Sequence, residues 1–112
     1  MIVTKIFRFE ASHKLEGYNG KCANLHGHSY KLHVSVSGDV KDGFVMDFHE
    51  LKKIVQEEVI SQLDHTYLND IIEFPTAENM LKWIWDKLEG KVNISKLLMY
   101  ETEDSYVEYV KE

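Results

Sequence analysis

Residues 2–13 alternate, with Val3, Phe7, Phe9 and Ala11 on one side, and this period of two predicts a β-strand. His13 carries the parity of that apolar side. A longer alternation covers 26–37, where Tyr30, Leu32, Val34 and Val36 face one way and Ser29, Lys31, His33, Ser35 and Ser37 the other. The turn signals Gly38-Asp39 and Asp42-Gly43 lead into a short third strand around 44–47. The period then changes: Phe48, Leu51, Ile54, Val55, Val59 and Leu63 form the stripe of an amphipathic helix over about 48–63. After Pro75, Thr76 is placed as an N-cap with Glu78 in the first turn, opening a second helix that carries Met80, Leu81, Ile84 and Leu88 towards Gly90. Strands over 94–102 and 105–111 close the chain around a Glu103-Asp104 turn.

Three strands, two helices and two strands predict an α+β fold with an antiparallel β-sheet and the two helices on one face. The Ser/Lys/His side of 29–37 predicts that the other face is polar. With 112 residues, 44% hydrophobic and without linker, repeat or low-complexity tract, the expectation is one domain, 1–112. A core of this size leaves self-association useful. The net charge of −6 leaves no basic footprint for nucleic acid or an anionic membrane, although a metal and a few lysines could still set the field for a small anionic substrate. One cysteine excludes an intramolecular disulfide. No apolar run is long enough to span a bilayer, and Lys5, Arg8 and Glu10 interrupt the N-terminal segment where a signal peptide would need an apolar core. The expected location is cytoplasmic.

His26-Gly27-His28 puts two imidazoles on one face of a strand, the face shared with Tyr30 and Leu32. Each buried imidazole without a partner costs roughly 1–3 kcal/mol, so something is expected to engage them. His13, ending the first strand on its apolar side, supplies a third nitrogen, and three neutral histidines with one vacant position match catalytic Zn2+. Hydrogen-bonded core histidines are the plainer reading. A third is that Cys22, four positions before His26, closes the site into a structural zinc module. Spacing leaves open and closed coordination both standing.

Five stretches occur in order along the whole chain: Phe9-Glu10-Ala11-Ser12-His13, Cys22-Ala23-Asn24-Leu25-His26-Gly27-His28, Leu63-Asp64-His65-Thr66-Tyr67-Leu68-Asn69, Pro75-Thr76-Ala77-Glu78-Asn79 and Tyr100-Glu101-Thr102. Together they resemble the 6-pyruvoyl-tetrahydropterin synthase family, and within it the 6-carboxy-5,6,7,8-tetrahydropterin synthase branch. The three-residue gap between Cys22 and His26 resembles that branch; pyruvoyl synthases of eukaryotic type place the cysteine further upstream, and a folate-linked branch carries glutamate in its place.

The resemblance implies the tunnelling fold, in which subunits form a barrel as trimers and two trimers stack into a homohexamer, with neighbours completing each active site. Ser29, Lys31, His33, Ser35 and Ser37 would line the barrel interior. It implies a carbon–carbon lyase with one Zn2+ per subunit on His13, His26 and His28. The substrate would be 7,8-dihydroneopterin triphosphate, giving 6-carboxy-5,6,7,8-tetrahydropterin, acetaldehyde and triphosphate, a precursor step for deazapurines of the queuosine or archaeosine type. A pyruvoyl synthase acting on the same substrate is the alternative within the family. Cys22 would be the catalytic base, its thiol drawn from about 8.5 towards neutrality by a nearby cation. Asp64 and His65 would relay protons, though two adjacent residues equally suit a helix end and a surface loop. Glu101 would anchor the pterin by accepting its amino group and ring N–H, where a strand-end ion pair with Lys96 or Lys111 is the simpler alternative. Thr102 would add a hydroxyl contact, and Lys14 is the candidate for the triphosphate where relatives often carry arginine. His33 and His49 receive no role, and Trp83 and Trp85 are expected to pack.

Overall fold

A computed structural model describes residues 1–17 and 23–112. Strands β1 (Ile2–His13) and β2 (His26–Ser37) pair antiparallel along their full length, from Ile2 opposite Ser37 to His13 opposite His26. β4 (Ile94–Thr102) adds to the other side of β2, and β5 (Ser105–Val110) forms the outer strand. A two-residue strand, β3 (Thr66–Tyr67), pairs parallel with Ala11 and Ser12, giving the order β3-β1-β2-β4-β5.

Alternation decided which side of this sheet the helices cover. Phe7, Phe9, Tyr30, Leu32, Leu97 and Met99 lie buried on one face, under Leu51, Val55, Val59 and Leu63 from one helical run and Met80, Leu81, Ile84 and Leu88 from the other. The first run consists of α1 (Phe48–Val55), a π-helical turn (Gln56–Ile60) and α2 (Ser61–Leu63). Leu51, Val55, Val59 and Leu63 recur every fourth residue, and in a regular helix such a row drifts about 40° per step. The wide turn, in which the Ser61 N–H bonds to the Gln56 carbonyl, brings Val59 and the adjacent Ile60 both inward. Asp47 caps α1 by accepting the His49 N–H at 2.8 Å. Phe48, counted from the sequence as part of the apolar stripe, is half exposed with Lys5 Nζ 6.0 Å above its ring. Helix α3 (Ala77–Leu88) begins as expected, with Thr76 Oγ1 accepting the Asn79 N–H at 3.1 Å.

Two expectations change. The strand around 44–47 does not form: Lys41 and Phe44 exchange backbone hydrogen bonds across Asp42 (φ 51°) and Gly43 (φ 88°), which is an isolated tight turn. Both edges of β2 are already taken, and the Asp47 cap starts the helix at once, so 44–47 has no strand partner among the described residues. Conversely, β3 was not anticipated. Two residues carry no periodicity, and only the return of the chain to the edge of β1 creates it.

Candidate active site

His13 ends β1 and His26 begins β2 directly opposite, while His28 sits opposite Ala11, so all three project into the helix-covered side. His13 is fully buried and the other two are half-buried. The His13 Nδ1–H donates to the Pro75 carbonyl at 2.8 Å, and the His26 Nδ1–H donates to the Asn24 carbonyl at 2.7 Å. A carbonyl can only accept, so both rings are fixed as tautomers whose Nε2 carries a lone pair. Those two Nε2 atoms face each other at 3.0 Å. Among the described residues the His28 Nε2 is buried without a hydrogen-bond partner, and one ligand atom from each ring lies within 4.8 Å of the others.

Facing lone pairs repel unless a cation or a proton stands between them. Tetrahedral zinc, at 2.0–2.1 Å from each nitrogen, wants its ligands about 3.3 Å apart, close to this spacing. The rings stand nearly perpendicular, at 70°, 86° and 89°, so their nitrogen edges converge without the faces colliding. This donor set fits a divalent metal with a position left over. Burial is the leading cause that holds the His28 pKa below its ordinary value; the Glu101 carboxylate opposes it, and His13 and His26 add to it. A neutral ring is the form that binds metal.

Glu101 reaches the same place from β4. Its Oε1 lies 3.6 Å from His28 Nε2. The β4–β5 register shifts between Tyr100 and Thr102, which leaves Glu101 as the extra residue of a bulge, and bulges re-aim side chains. The simpler partners for this carboxylate are engaged elsewhere: Lys96 with Glu108 at 3.7 Å and Lys111 with Asn93 at 3.4 Å.

Asp64 and His65 form a pair on the outer edge of β1. The His65 Nδ1–H donates to Asp64 Oδ1 at 3.0 Å, and the same oxygen accepts the Glu10 N–H at 2.9 Å. The Glu10 N–H is the main reason the Asp64 carboxyl titrates below its ordinary range, with His65 contributing further and partial desolvation opposing. His65 has a left-handed backbone (φ 60°), held by its N–H on the Glu10 carbonyl, and its ring is exposed. His65 and His28 line one open cavity of about 550 Å³ with Glu10, Gly27 and Ser29.

Lys14 extends to an exposed ion pair with Glu16 at 3.9 Å. The Thr102 hydroxyl donates to Asp104 at 3.0 Å in the β4–β5 turn. Cys22 lies outside the described residues. Sequence reasoning missed the Pro75 and Asn24 carbonyls that orient two of the rings. Both are main-chain atoms, so no side-chain motif points to them.

The profile of the family described as 6-pyruvoyl tetrahydropterin synthase matches residues 2–112. A Synechocystis protein named 6-carboxy-5,6,7,8-tetrahydropterin synthase is 41% identical over 118 residues, covering 96% of this chain and 92% of its own. A Pyrococcus furiosus protein named dihydroneopterin monophosphate aldolase is 41% identical over 106 residues, covering 89% of each. The solved structure of Caenorhabditis elegans 6-pyruvoyl tetrahydropterin synthase superposes with a TM-score of 0.88 at 27% identity, covering 100% of this chain and 96% of that one.

Proposed function

Because this chain belongs to the 6-pyruvoyl tetrahydropterin synthase family, we propose that it is a zinc-dependent carbon–carbon lyase of the 6-carboxytetrahydropterin synthase type. With one water consumed, it converts 7,8-dihydroneopterin triphosphate to 6-carboxy-5,6,7,8-tetrahydropterin, releasing acetaldehyde and triphosphate, and supplies deazapurine synthesis in the cytoplasm. The observation that carries this reading is the convergence of three imidazole nitrogens with the Glu101 carboxylate on one buried sheet end.

His13, His26 and His28 hold the ion, which supplies Lewis acidity towards the oxygens of the substrate side chain. Glu101 accepts the pterin amino and ring N–H groups and fixes the ring beside the histidines. Cys22 takes the proton from the reacting carbon as a thiolate. The Asp64 carboxylate keeps a proton on His65 Nδ1, which leaves Nε2 to accept or deliver a proton at the substrate. Thr102 and Lys14 add contacts to the ring and to the phosphates.

The dyad lies on the β1 edge and the triad at the covered end, and two sheet edges support completion by neighbours. β5 is the last strand on one side, and β1 is unpaired on its outer edge before Glu10 among the described residues. Open edges of this kind pair with another chain unless covered. We therefore take the active form to be a barrel-shaped homohexamer with sites between subunits.

One assay tests the reading. The zinc-loaded protein is offered dihydroneopterin triphosphate and, separately, dihydroneopterin monophosphate, and products are identified by mass. Carboxytetrahydropterin with acetaldehyde is the expected result, and a pyruvoyl product would sink the assignment in favour of the other branch. The Pyrococcus relative favours one second reading, an aldolase, which predicts conversion of the monophosphate instead.

A further inference from the structure

Two asparagines in the 64–79 stretch grip main-chain segments next to His13, and neither is used by the chemistry above. Asn69 makes a pair of hydrogen bonds to Lys14: its Oδ1 accepts the Lys14 N–H at 2.9 Å and its Nδ2 donates to the Lys14 carbonyl at 2.7 Å. The side-chain amide thus acts as one rung of a ladder just past the end of β1, on the residue that follows His13. Asn79 holds the other segment. Its Nδ2 donates to the Phe74 carbonyl at 2.9 Å, and that oxygen also accepts the Thr76 N–H at 2.8 Å.

Phe74 has a left-handed backbone (φ 47°). For a bulky non-glycine residue this conformation is strained and persists only where its surroundings impose it. The next carbonyl along, that of Pro75, is the acceptor for His13 Nδ1–H at 2.8 Å. The strained corner therefore aims the group that fixes both tautomer and direction of the His13 ring.

We propose that Asn69 and Asn79 are positioning residues of the metal centre, holding the two main-chain segments that set where the His13 imidazole points. The proposal rests on the reading that the histidine triad binds a divalent cation. Asn69 locates the backbone from which the ring springs, and Asn79 locates the carbonyl that steers it. Outer-shell groups that orient a metal-bound histidine are commonly worth 10–100-fold in metal affinity.

A third asparagine provides a matched control. Asn93 meets Ser37 at the far end of β2: its side-chain Nδ2 donates to the Ser37 carbonyl at 2.9 Å, and its main-chain carbonyl accepts the Ser37 N–H at 3.1 Å. The side-chain bond to a main-chain carbonyl is of the kind Asn79 makes, remote from the histidines.

The test is competition for zinc against a chromophoric chelator, with the full chain and its Asn69→Ala, Asn79→Ala and Asn93→Ala variants. The zinc Kd should rise about tenfold or more for Asn69→Ala and Asn79→Ala, and less than about twofold for Asn93→Ala. Asn79→Ala is the sharpest case. Its own N–H still satisfies Thr76, and alanine suits a helix better than asparagine, so metal-free stability should hold while affinity falls. Unchanged affinity in both site variants overturns the proposal, as does an equal loss in all three. If an alanine variant does not fold, Asn69→Ser and Asn79→Ser, too short to span either clamp, carry the same comparison. In the unsubstituted metal-free chain, the His13 Nδ1–H should exchange slowly with water, and rapid exchange overturns the proposal. An unsubstituted chain that binds no zinc overturns the metal reading and this proposal together; one that binds zinc without turning over the pterin leaves this proposal standing and removes only the reaction.

Discussion

The two ends of the β1–β2 ladder make an instructive pair. At one end the inward positions are Val3 and Val36, backed by Ile94; at the other they are His13 and His26, with His28 two residues in. The backbone pairing is the same, yet the energetic meaning is reversed. At the valine end, burial itself stabilises, at about 25 cal/mol per Å² of apolar surface. At the histidine end, burial is a cost until each polar atom finds a partner: two ring N–H groups reach carbonyls, whereas the Nε2 atoms of His13 and His26 face each other and that of His28 has no hydrogen bond among the described residues. One end is a stability element, and the other is a site that spends stability on holding lone pairs together.

The largest effect should come from breaking the histidine end. His28→Ala removes one ligand atom and the partner of Glu101, and turnover should fall more than about a hundredfold, with zinc affinity falling alongside, read by steady-state kinetics and chelator competition. The metal-free protein should lose little stability, because a buried ring without a hydrogen bond at Nε2 is removed. A large loss of metal-free stability would mean that the three histidines are core residues after all.

Leu32→Ala is the complement. Leu32 is fully buried in the middle of β2, and its truncation should cost about 2–5 kcal/mol in denaturant unfolding while leaving zinc affinity of the folded fraction nearly intact. Coupled loss of both would show that the two ends are not separable.

Smaller still is Thr76→Ala, which removes the cap of α3 and should cost about 1 kcal/mol. It also loosens the start of the helix behind Pro75, so a modest loss of zinc affinity should accompany it.

The smallest effect concerns His33, an imidazole on the open face of the same strand as His28. Its pKa is held below the ordinary 6.5, first by burial, then by Lys31, Lys96 and Arg8. Above 6.5 the ring is neutral whether folded or unfolded and contributes nothing. As pH falls below 6.5 the unfolded chain takes up the proton first, so stability declines until the pH passes below the folded pKa. His33→Gln should remove that part of the acid sensitivity in metal-free unfolding curves, and an NMR titration of His33 with a midpoint at or above 6.5 would contradict it.

Legibility differed by residue for physical reasons. The parity of His13, His26 and His28 was readable because a strand turns every second residue to one face. The helix after Pro75 was readable because its cap and stripe are local. The strand expected around 44–47 failed because the turn signals before it cannot show that no edge is free to receive it. β3 was invisible because two residues have no period. Asp64 and His65 were readable as a motif, but not as a pair tied to Glu10 across the edge of β1.

The sequence by itself determined the face of the residues in the regular strands, the helical stripes and caps, and therefore that three imidazoles would share the covered side. Tertiary structure decided that they converge and how they point. The bulge at Glu101, the strained corner at Phe74 and the carbonyl of Pro75 all act on groups far away along the chain. Main-chain carbonyls carry no sequence signature, so the direction of a histidine ring is settled only when distant segments pack against it.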